Sequence, residues 1–177
     1  MKSKAFTLLE ILLSMGIIGI IASIMIRLIP NVMPDVNKAQ FLRAITTTKI
    51  IVSDMINATP LYPDDYTSDT YGFKNTTAPV MGEYADDKYS GDAKFPLIFA
   101  DRFDADVTVS SGTYSFYSIR ENLTYKISGT GGNYTIRFYD NDNVNIGGVE
   151  VSYDGGTKCL AGVKDYCTGD ITNLRRQ

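Results

Sequence analysis

An α+β fold is predicted for this chain of 177 residues, with a long N-terminal helix packed on a C-terminal antiparallel sheet of about four strands. Three observations predict it. The stretch from Phe6 to Ile26 is apolar apart from the single charge of Glu10. From Asp35 to Ala58 the apolar positions recur at spacings of three and four, one face of a helix. From Thr113 to Tyr153 the pattern alternates with a period of two, the signature of half-buried strands.

The N-terminal element reads as a membrane helix. As an α-helix, Phe6 to Ile26 rises about 31 Å, which matches the hydrocarbon core of a bilayer. Lys2 and Lys4 precede it, and a basic flank predicts a cytoplasmic N-terminus with the rest of the chain on the far side. A secretory signal peptide would have a shorter apolar region and an AxA-like site after it, and none follows Ile26. Arg27, Pro30 and Pro34 close the stretch, so the helix is expected to leave the membrane near Arg27 and to be kinked or interrupted at the prolines. The span is taken as 6–29 and the extracytoplasmic domain as 30–177.

Within that domain an amphipathic helix is predicted over 35–58. Asp35 beside Pro34 is its start signal and Asn57 with Pro60 its stop. Its stripe, Phe41, Ile45, Thr48, Val52 and Met55, is expected to pack on the sheet. Residues 61–104 are rich in Tyr, Asp, Gly, Thr and Pro without sustained periodicity, apart from FPLIFA at Phe95–Ala100. They read as a long, variable surface connection with one short helix or strand.

Four strands are expected in the sheet region 113–153: TYSFYSIR, LTYKIS, NYTIRFYD and VNIGGVEVSY, parted by turns such as GTGGN and DNDN. Tyr114, Phe116, Tyr125, Tyr134, Phe138 and Tyr139 are their packing aromatics. In the C-terminal part, 154–177, Cys159 and Cys167 are the only cysteines. Beyond a membrane they fit a disulfide that closes the loop, and in a reducing cytoplasm they would be two free thiols. Their spacing is too wide for a CxxC redox motif.

Composition removes several functions. The chain has no histidine, so triads and zinc sites lack their usual central member. The net charge of -3 comes without a run of five or more like charges, which leaves no electrostatic footprint for nucleic acid. No nucleophile motif, Walker motif or paired carboxylate constellation occurs, and an enzyme is not expected. Glu10 is the anomaly. A carboxylate at membrane depth costs at least about 2 to 3 kcal/mol, and such a group is a functional hypothesis by default.

KAFTLLEILLSMGIIGIIAS resembles the N-terminal segment of the type IV pilin family, which includes the pseudopilins of type II secretion. The resemblance is close over roughly the first 25 residues, and it extends loosely to the end through a long helix followed by an antiparallel sheet. It implies a leader of residues 1–5 cut by a prepilin peptidase after Ala5, where the family usually has Gly. Phe6 then becomes a methylated N-terminus, and Glu10 the glutamate that pairs with the Phe6 amine of a neighbouring subunit during assembly. A buried carboxylate that is compensated only in the correct stagger acts as a register device. The competing account has Glu10 snorkelling to the headgroups beside Lys2 and Lys4. Gly16, Gly19, Ala22 and Ser23 let helices approach closely, as small residues do in many membrane helices.

The partners implied are homo- or hetero-polymers of pilin-like subunits, the peptidase and an inner-membrane assembly platform with its own ATPase. The implied location is the bacterial inner membrane, single-pass, with the domain in the periplasm, and a pilus or pseudopilus after assembly. Some pseudopilins hold calcium in a loop of the sheet domain. Asp140, Asp142 and Asn145 would be its oxygen ligands here, although the turn lacks the EF-hand pattern and Asx-rich turns form without metal. The function expected is a structural subunit of such a filament. The alternative is a minor pilin or membrane-anchored binding module that contacts a ligand or surface through 61–104.

Overall fold

The computed structural model describes residues 8–32, 35–65, 67–79 and 82–167, with the backbone alone for 25–32. It divides into two compact units, Met1–Val36 and Asn37–Gln177.

The first unit is helix α1, Leu8–Val32. Every side chain from Leu8 to Ile24 is exposed. The helix continues through Arg27 and Pro30 and closes at Val32, and the next begins at Val36. Pro30 thus does not end the helix, and Asp35, between the two helices, is non-helical. Pro34 itself lies outside the described residues.

The second unit opens with α2, Val36–Asn57, whose buried face is Phe41, Ala44, Ile45, Thr48, Val52 and Met55. All five positions of the predicted stripe are there. At the end of α2, Asn57 Nδ2 donates to the Ser53 carbonyl at 2.5 Å, one turn back. Three short 3-10 turns, Gly72–Lys74, Asp87–Tyr89 and Gly91–Ala93, lead to α3, Lys94–Asp101. Six antiparallel strands follow in meander order: β1 Thr108–Ser110, β2 Thr113–Ser118, β3 Leu123–Thr130, β4 Asn133–Tyr139, β5 Asn145–Val151 and β6 Thr157–Ala161. On β3 and β4 alternate residues are buried, so one face of the sheet meets the core.

Two expectations are corrected. The sheet has six strands where about four were expected, because its edges carry no period-two signal. β1 is three residues long and wholly exposed, and β6 never reaches full burial. An edge strand has one neighbour and needs no buried face. The second correction concerns 61–104, read as a surface connection. It supplies Tyr62, Phe73, Phe95, Ile98 and Phe99 to the core, each at most 3% exposed. Phe95 stacks on Tyr134 of β4 at 4.2 Å between ring centroids and meets Phe73 edge-on at 4.9 Å. Tyr62 and Phe73 come from irregular backbone, and Phe95, Ile98 and Phe99 from a helix of only eight residues whose FPLIFA run is apolar throughout, so no period betrays them.

Among the predicted packing aromatics, Phe116, Tyr125, Tyr134 and Phe138 are buried, and Tyr114 and Tyr139 are half-buried. Gly147 explains how α2 sits so close to β5. Its φ is +136°, and a Cβ there would run into the Phe41 ring, so the site requires glycine.

Cys159 and Cys167 are joined in a disulfide. The loop it closes carries Tyr166 against Phe41, with centroids 5.5 Å apart. Reduction is therefore expected to lower stability by about 2 to 3 kcal/mol. Urea unfolding with and without reductant measures this, and a Cys159→Ser variant is expected to show the same loss and no response to reductant.

Candidate assembly segment

Glu10 lies in the first described turn of α1, and Ser14 Oγ donates to its carbonyl at 2.7 Å. Ala5 and Phe6 lie outside the described residues. Around Glu10 the helix surface is hydrocarbon, with Leu8, Leu9, Leu12 and Leu13 each between 60% and 78% exposed. Among the described residues a Cβ added at Gly16 or Gly19 would meet nothing within 4 Å, so no contact there demands those glycines. Soluble monomers rarely show an apolar patch above a few hundred Å². An apolar surface running from Leu8 to Ile24 has to be covered by lipid or by other protein. Among the described residues no helix is long and apolar enough to cross a membrane. The expected span, Phe6 to Ile26, passes beyond the described side chains at both ends.

In the sheet domain, two charged side chains are buried that sequence reasoning missed. Lys94, the first residue of α3, is 1% exposed. Its Nζ donates to the carbonyls of Asn75 and Thr77 at 2.9 and 2.7 Å and stands 4.2 Å from the centre of the Tyr62 ring. It ties α3 to the preceding loop. Burial pushes its pKa down to about 8. Glu121, in the β2–β3 turn, is also 1% exposed. It accepts from Ser118 Oγ and, at 3.3 Å, from Thr47 Oγ1 of α2, with Arg120 Nε at 3.9 Å. Thr48 Oγ1 and Tyr125 Oη are buried without a hydrogen-bond partner among the described residues. Burial first, and then the Glu121 charge, push the Tyr125 phenol up. Spacing alone marks neither charge, since each is satisfied by backbone or hydroxyl groups that only the tertiary fold brings near.

Lys94 gives the domain a pH signature. A folded-state pKa below the unfolded value means that the unfolded chain binds more protons between pH 8 and about 10.5, so stability rises with pH across that window. Above about pH 10 the buried tyrosines, whose phenols are pushed up, act in the opposite sense. The denaturation midpoint is therefore expected to climb from pH 7.5 to 9.5, by about 1 to 2 kcal/mol after solvent screening, and to fall again above pH 10. Lys94→Met is expected to flatten the rise.

The turn proposed to hold calcium is built from hydrogen bonds. Asp140 Oδ1 accepts the backbone N–H groups of Asp142 and Val144 at 3.0 and 2.8 Å, and Asn145 Oδ1 accepts that of Gly147 at 2.9 Å. Asp140 Oδ1 and Asn145 Oδ1 thus engage the backbone as in an Asx turn. Among the described residues no group of three His, Cys, Asp or Glu side chains is placed to hold a metal ion.

Neither the curated proteins nor the solved structures include a match to the chain. Its first residues do match a family model. Residues 1–26 carry the prokaryotic N-terminal methylation motif, the prepilin cleavage signal of type IV pilins and pseudopilins.

Proposed function

We propose that the chain is a structural subunit of a type IV pilus or type II secretion pseudopilus, polymerised through α1. The observation that carries this reading is an α1 whose described side chains, Leu8 to Ile24, are all exposed and uncharged except for Glu10, joined to a domain with a core of its own. In this reading Phe6–Ile26 holds the subunit in the inner membrane until assembly. Prepilin peptidase cuts after Ala5, Phe6 is methylated, and the assembly platform draws subunits into the filament. The Phe6 amine of one subunit then meets Glu10 of the next, and two charges that are costly alone in an apolar setting compensate each other. The chain needs no chemistry of its own.

The intact mass of the mature chain tests processing. Loss of Met1–Ala5 with gain of one methyl group is expected, and a mass that retains Lys2 and Lys4 overturns the reading.

A second reading, a minor pilin or membrane-anchored binding module, is favoured by one feature of the loop. A cleft of about 720 Å³ is bordered by Pro60, Pro63 and Pro79 and by the polar side chains of Asp65, Ser68 and Thr70. In a minor subunit that cleft would face a ligand. Loss of ligand or surface adhesion on Ser68→Leu, with filaments intact, separates this reading from the first.

A further inference from the structure

Four of the ten asparagines begin an Asn-x-Thr triplet: Asn57, Asn75, Asn122 and Asn133. Such a triplet is the acceptor sequence for an N-linked glycan on a surface outside the cytoplasm. The structure separates them. Asn75 is 7% exposed, and its amide nitrogen donates to the Pro63 carbonyl at 2.7 Å. The Asn57 amide nitrogen is held by the Ser53 carbonyl at the end of α2. Asn122 is half-buried, and its amide oxygen accepts from Tyr117 Oη at 2.6 Å and from Asn141 Nδ2 at 3.3 Å.

Asn133 differs from all three. It is exposed and makes no side-chain hydrogen bond among the described residues. It opens β4 immediately after the Gly131–Gly132 turn, at the end of a hairpin where Ser128, Gly129, Thr130 and Gly131 are exposed as well. Tyr134, between Asn133 and Thr135, is 1% exposed and points into the core. Residues i and i+2 of a strand share a face, so the Asn133 amide and the Thr135 hydroxyl stand together on the outer side. A transferase that must read both groups at once finds them pre-arranged there.

We propose that Asn133 is the acceptor of an N-linked glycan, transferred by a separate enzyme from a phosphate-activated, lipid-linked saccharide. The Asn133 amide nitrogen attacks the anomeric carbon. A C–N bond forms as the bond from that carbon to the lipid phosphate oxygen breaks. The phosphate leaves with the electron pair, the amide gives up one proton to a base of the transferase, and nothing is oxidised or reduced. The inference rests on the proposed placement of the domain outside the cytoplasm.

The test is the mass of the full chain purified from the cells that naturally make it, followed by peptide mapping. A mass above that of the processed, methylated polypeptide is expected, located on the peptide containing Asn133. Asn133→Gln and Thr135→Val are each expected to remove it, Thr135→Ser to retain it at the same residue, and Asn122→Gln to leave it unchanged. A processed chain without added mass overturns the inference alone. A chain that also keeps its leader overturns the filament reading beneath it. Added mass that maps to Asn122, or that survives Asn133→Gln, overturns the assignment to Asn133.

Discussion

Replacing Glu10 with alanine is expected to abolish filament assembly while leaving the sheet domain as stable as before. In the proposed filament the removed carboxylate leaves the Phe6 amine of the neighbouring subunit buried and unpaired, a loss of about 3 to 5 kcal/mol at each contact. Every 1.4 kcal/mol is a factor of ten in an equilibrium, so the assembled fraction falls at least a hundredfold. Glu10→Gln is expected to fail as well, because a neutral amide restores shape and polarity without the charge. Sedimentation or electron microscopy of sheared filaments reads assembly, and the thermal midpoint of the extracted subunit reads the domain. Filaments that persist in Glu10→Ala would mean that Glu10 is a tolerated flank and that the helices pack by shape alone.

Phe95→Ala is expected to destabilise the sheet domain by about 3 to 5 kcal/mol, the range for emptying a buried aromatic site. Against a total stability of about 5 to 15 kcal/mol, that approaches unfolding. The reason is specific to the position. Phe95 is fully buried and touches three rings: Tyr134 of the sheet, Phe73 of the preceding loop and Phe99 one turn along α3. Removing it separates the loop from the sheet. Ile119→Ala is the control, since Ile119 is 87% exposed and a surface change of that kind stays within about 0.5 kcal/mol. Urea unfolding of both variants gives the comparison. Similar midpoints for the two would show that residues 61–104 lie on the domain without supporting it.

The contrast between those two positions shows where a single sequence is informative. The α2 stripe was readable because a helix on a sheet repeats its contact every three or four residues, and β2 to β5 because a sheet with one buried face alternates. Phe73 contributes as much to the core from a 3-10 turn where no repeat operates, and Phe95 from α3, an eight-residue helix whose FPLIFA run has no polar positions to set off a period. β1 and β6 are invisible for a related reason, since an edge is defined by backbone pairing and not by the burial of its side chains. The same division holds for the candidate site. A lone acid in a hydrocarbon run is a compositional anomaly, so Glu10 stands out in one dimension. Lys94 and Glu121 look like ordinary surface charges until their partners, Asn75, Thr77 and Thr47, are brought near from 17 to 74 residues away. A buried charge of that kind is legible only in three dimensions.

The two sheet edges matter most when many copies of the domain are crowded together. An open edge offers unpaired N–H and C=O groups to any similar strand nearby, which is how folded domains begin to aggregate. β1 is too short to template such a pairing, and β6 has an exposed Lys158 and is tethered at Cys159 to the disulfide loop. Crowded copies of the domain can then jostle without zipping together at their sheet edges.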